Sequence, residues 1–142
     1  MVEVNLLAIL GAGIASMIIG FVWYGPLFGK PWSKIMGWGD RTKEQIQEMQ
    51  KKAMPGYIVS FVGSLVMAYV LAHVYTYASV YTQTFGVTGG LMAAFWSWLG
   101  FVAPVTLGAV LWESKPLNLW YINGGYYLVL LLAMGAIVGM WA

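Results

Sequence analysis

Read from one end to the other, the chain alternates between long apolar runs and short polar stretches. Four runs carry no charged side chain and are long enough to cross a bilayer: about residues 4–24, 56–77, 89–112 and 119–141. A membrane-spanning helix needs about 20 predominantly apolar residues. Strands of a membrane barrel are about 10 residues with alternating polarity, whereas these runs are continuous. The pattern predicts an all-α polytopic membrane protein, a four-transmembrane-helix bundle, with residues 1–142 forming one integral membrane domain. The first run opens Met-Val-Glu with no basic segment before it. It is longer than the apolar core of a secretory signal, so it is read as a retained first helix.

The polar stretch between spans one and two has structure of its own. Pro31, Trp32, Ile35 and Met36 fit a short interfacial turn of helix, and Gly37 and Gly39 break it. Thr42 followed by Gln45 matches a capping box and opens a second helix. There Ile46, Met49 and Ala53 share one face, and Glu48 stands one turn before Lys52. A short amphipathic cytoplasmic helix between spans one and two is therefore expected. Gly25 and Pro26 are expected to stop the first span.

Charge supplies direction. Lys30, Lys34, Arg41, Lys43, Lys51 and Lys52 follow span one, and Lys115 follows span three. The stretch Ala78–Thr88 after span two has no charge. Basic loops stay cytoplasmic, so both termini are expected outside. Trp23, Tyr24, Trp32, Trp38, Tyr57, Trp112, Trp120 and Tyr121 are expected to ring the inner interface. Tyr75, Tyr77, Tyr81 and Trp141 are expected at the outer one.

Composition narrows the function classes. The chain is 61% hydrophobic and 8% charged, against about 25% charged in soluble domains. With no cysteine, disulfides and thiolate metal sites are excluded. The net charge of +2 lies beside spans and is read as a topology signal, with no nucleic-acid partner. No nucleophile–base pair, phosphate loop or His-based metal motif is present, so no cofactor, metal or enzymatic activity is expected.

Small residues recur every four positions in three spans: Ala8, Ala12, Ser16 and Gly20; Gly56, Ser60, Ser64, Ala68 and Ala72; and Gly135 with Gly139. This spacing lets helix backbones approach closely. The partner helices lie within the bundle, in a homo-oligomer or in other membrane subunits. A four-residue step drifts about 40° around a helix, so the span-two stripe winds. Few side chains are candidates for chemistry. His73 lies near the outer end of span two among tyrosines, and is read as an interfacial histidine or a proton-responsive group. Glu113 ends span three, with Asn118 and Asn123 following. Asn123 needs a hydrogen-bond partner at low dielectric. Glu113 is expected to reach the Trp23–Lys34 segment, with an asparagine beside it. Trp23, Tyr24, Pro26, Lys30, Glu113, Asn118 and Asn123 thus form the candidate cluster, a latch first and a binding site second.

The stretches WYGPLFGKPWSKIMG (Trp23–Gly37) and LWESKPLNLWYINGGYYLV (Leu111–Val129), set in a four-span pattern, resemble a prokaryotic family of small integral membrane proteins catalogued as a domain of unknown function. The resemblance covers nearly the whole chain. It implies a four-helix membrane fold in a prokaryotic cell membrane and carries over no catalytic or binding residue. Two function classes follow from the residues: an interaction module that oligomerises or serves a larger membrane complex, and an oligomeric permease for a small solute or ion.

Overall fold

The computed structural model describes residues 2–141, and the described residues are helical between short turns. Helix α1 (Leu6–Val22) starts where the Asn5 side chain accepts from the Leu7 and Ala8 N–H groups. It does not stop at Gly25–Pro26 as expected. Pro26 has no N–H to return to Val22, and the helix widens into one π-helical turn over Trp23–Leu27. That turn closes with the Phe28 N–H donating to the Trp23 carbonyl at 2.8 Å. A short helix α2 (Gly29–Ile35) follows. Gly37 then takes φ +79°, and the Trp38 N–H returns to the Ser33 carbonyl; a left-handed residue here suits glycine. Helix α3 (Lys43–Lys52) carries the Thr42–Gln45 capping box with both reciprocal bonds formed.

The second span is longer than its apolar run. Helix α4 covers Met54–Thr82 with Pro55 in its first turn, and ends on Gln83 at φ 55°. Only residues 83–85 separate it from α5, where a longer uncharged loop was expected. The third span is broken, not continuous: α5 (Gly86–Phe101), α6 (Ala103–Thr106) and α7 (Gly108–Trp112) are separated at Val102 and Leu107. Pro104 sits just beyond the first break and cannot donate the N–H that the Gly100 carbonyl would receive. Helix α8 (Leu117–Met140) is the fourth span. All four spans are long and apolar enough to cross a membrane.

Helix α8 is the hub. It packs against α5, α1 and α4, while α4 also lies against α1 and α5. Span four buries 44% of its most apolar stretch and span three 11%. The core is made of small and aliphatic side chains, among them Ala12, Ala68, Ala94, Leu130 and Met134. Glycine makes its closest seams. A Cβ on Gly90 would run into the Gly135 backbone, and one on Gly139 into Gly86. Ala8, Ala12, Ser16, Ser64, Ala68 and Ala72 are buried along the α1–α4–α8 contacts. Ser60 and Gly56 are exposed in the single chain, so the packing expected of Ser60 is not made inside this bundle. The stripe's drift carries its first two members off the contact face. Tyr75, expected in an interfacial belt, is buried, and its hydroxyl accepts from the Gly86 N–H at 3.0 Å.

Candidate functional site

Most of the inter-helical hydrogen bonds made by side chains gather at the basic end of the bundle. The π turn rotates Trp23 and Tyr24 toward the first turns of α8. The Trp23 indole N–H donates to the Ile122 carbonyl at 2.9 Å, and the Tyr24 hydroxyl donates to Asn123 Oδ1 at 2.7 Å. Two more indoles bind backbone carbonyls between spans three and four. Trp98 donates to Gly124 at 2.8 Å, and Trp120 donates to Ala103 at 2.9 Å. Ile122 and Gly124 lie inside α8, so each of these carbonyls also has the second lone pair that an indole can use. The Ala103 carbonyl opens α6 just past the break and also receives the Leu107 N–H at 3.3 Å.

Close approach depends on glycine. A Cβ on Gly125 would stand 3.2 Å from the Trp23 ring, and one on Gly20 would stand 3.4 Å from the Tyr126 hydroxyl. Tyr24 packs edge-on to both Trp32 and Tyr126, with ring centroids 5.2 Å and 5.1 Å away. Trp23 lies against Phe28, which ends the π turn. The result joins spans one, three and four in a half-buried aromatic belt held by four side-chain hydrogen bonds. Its chemistry is that of a fastener: neutral donors matched to neutral acceptors.

The sequence candidates divide on this geometry. Trp23, Tyr24 and Asn123 come together. Glu113, Lys30, Pro26 and Asn118 are exposed, and the hydrogen bonds of the Trp23–Tyr24 pair go to α8 rather than to Glu113. The latch therefore runs from span one to span four, a correction to the Glu113 contact. The reason is local: α7 ends at Trp112, and Ser114 at φ 55° turns the chain away immediately after Glu113. Trp98 and Trp120 belong to the belt but were not singled out as site residues. Trp120 and the Gly124–Gly125 pair stood inside the recognised LNLWYINGGYY stretch, which was the available signal.

His73 lies apart from this belt. Its Nδ1–H donates to the Tyr69 carbonyl at 2.9 Å, and its ring lies against Tyr69 and Tyr77 on the outward face of α4. Among the described residues, no group of three or more His, Cys, Asp or Glu side chains is placed to hold a metal ion. Toward the other end of the bundle, a cleft of about 260 Å³ opens between α4 and α5.

The family model described as "Protein of unknown function (DUF1761)" matches residues 7–139, nearly the full chain. No curated protein and no solved structure matches it.

Proposed function

We propose that this chain, which belongs to the DUF1761 family, is a non-catalytic membrane module that works by associating within the bilayer, either with copies of itself or as a subunit of a larger membrane assembly. The observation that carries the reading is span three. It is broken at Val102, it buries the least of the four spans, and Gly100 and Val105 beside the break are exposed. Irregular backbone at membrane depth is tolerated where protein covers it or where it lines water. The belt at the basic end uses its polar groups to fasten spans together, which supports a rigid body presenting a face rather than a reactive centre.

The same break supports a second reading, an oligomeric small-solute or ion permease with span three along the path. Single cysteines separate the two, because the chain has none of its own. For a module, Val105→Cys and Leu111→Cys cross-link to a neighbouring protein in native membranes, and Val66→Cys on the outward face of α4 does not. Gly100→Cys, where a Cβ meets nothing within 4 Å, is then shielded from membrane-impermeant thiol reagents. Rapid modification of Gly100→Cys by such a reagent rejects the module in favour of the permease. Absence of any cross-link from Val105 and Leu111 rejects association through this face.

A further inference from the structure

The cleft between α4 and α5 is neither part of the belt nor used by the association argument, and it has three properties that together select an occupant. Its walls are mostly apolar. Met92, Trp96 and Phe101 line it toward the middle of the chain's third span, and Val74 lines it from α4. Three of its four polar side chains, Ser79, Thr82 and Thr84, lie at the other end by the α4–α5 turn, and the fourth, Ser97, lies among the apolar ones. And Ser79, 2% exposed, has a hydroxyl with no hydrogen-bond partner. The small residues Gly89, Ala93 and Ser97 recur along α5 in this cleft, leaving room where a larger side chain would fill it. A buried donor without an acceptor is costly, and in hydrocarbon water does not supply one.

Depth fits one class of molecule. Ser79 is three residues from the end of α4, about 5 Å along its axis. Phe101 is twelve residues beyond Gly89, about 18 Å deeper. In a bilayer lipid the ester carbonyls lie at the edge of the hydrocarbon, with the acyl chains below. The turn above the cleft carries no charge from Ala78 to Thr88, so nothing there attracts an anionic headgroup.

We propose that the α4–α5 cleft binds one uncharged or zwitterionic acyl-glycerolipid of the surrounding bilayer, whose ester carbonyl accepts from the Ser79 hydroxyl and whose acyl chain runs past Met92 and Trp96 to Phe101. Gly89 has no side chain to fill the space beside the hydroxyl, where a Cβ would stand 3.1 Å from it. The claim holds for a single chain and for an assembly alike.

The full-length chain in phosphatidylcholine vesicles, doped with a phosphatidylcholine bearing a photoactivatable group along its acyl chain, tests this. Cross-links are expected on Met92, Trp96, Ser97 and Phe101 at about five times the level on Val66 and Val70, two exposed aliphatics of α4 that do not line the cleft. Ser97→Phe fills the cleft and is expected to abolish the excess while leaving thermal unfolding unchanged. Ala78→Leu serves the same purpose should Ser97→Phe misfold. Ser79→Ala is expected to lower the cleft labelling about fivefold, the effect of one neutral hydrogen bond. Equal labelling of the cleft and of Val66 and Val70 overturns the proposal, since that is ordinary boundary lipid. Preference for phosphatidylglycerol when both lipids are offered overturns the headgroup assignment. A disulfide between two Ser97→Cys chains, without lipid cross-links, shows that a second copy fills the cleft and overturns the lipid altogether.

Discussion

Asn123 illustrates what a single polar residue does in a span. Its amide oxygen receives the Tyr24 hydroxyl at 2.7 Å across two helices. Tyr24→Phe removes the donor and leaves the acceptor in an apolar setting, so it is expected to lower stability by about 0.5–1.5 kcal/mol. Thermal unfolding in detergent checks this, and in the Asn123→Leu background the same change should have almost no effect. The need of Asn123 for a partner was legible in the sequence; the partner was not, because 99 positions separate it from Tyr24 and no local spacing links them. Glycine repeats this lesson. The Gly135–Gly139 pair was visible as a stripe, but its opposite half, Gly86 and Gly90, becomes meaningful only once α5 lies on α8. Gly90→Ala is expected to cost about 1–3 kcal/mol or more, because the new methyl meets backbone. Gly63→Ala, where a Cβ meets nothing within 4 Å, should instead gain about 0.5–1 kcal/mol from helix propensity.

Among elements, the continuous apolar runs identified all four spans, and the Thr42–Gln45 spacing identified the start of α3. The ends were harder to read. Hydropathy falls where tyrosines and threonines begin, but α4 continues through them to Thr82 because its backbone bonds do not depend on side-chain polarity. The prolines had different outcomes. Pro26 widened a helix that was expected to stop, and Pro104 accompanies a break in a span that was expected to be continuous. Each lacks the N–H that the carbonyl four residues earlier would receive, and the sequence alone does not say which outcome follows. The small-residue stripe of span two yields a graded prediction. Ser64→Leu and Ala68→Leu, on the buried face, should each lower stability by about 1–3 kcal/mol through overpacking. Ser60→Leu, Val66→Leu and Val70→Leu, at exposed positions, should leave it unchanged. Unfolding temperatures of the five variants in one detergent decide this.

For the whole molecule, the basic residues and the aromatic belt share one end. If basic loops stay in the cytoplasm, Gln83→Cys is labelled from outside intact cells and Gln45→Cys is spared; the reverse pattern would invert the orientation. The belt fastens spans one, three and four at that end, while span three leaves the bundle with a broken and largely uncovered face. That contrast between a fastened end and an uncovered span is what supports the proposed association. The sequence carried the class of fold and half of the belt. It did not carry the broken span, because Pro104 in an apolar run does not say whether the helix continues, nor the cleft, which exists only where α4 and α5 come together. The central claim is association, and the most direct measurement is the intact mass of the complex extracted with a patch of native membrane. The account predicts a protein mass above that of one 15.6 kDa chain, as a multiple of it or with a second polypeptide. A single chain carrying lipid alone, under extraction gentle enough to preserve known complexes, would contradict it.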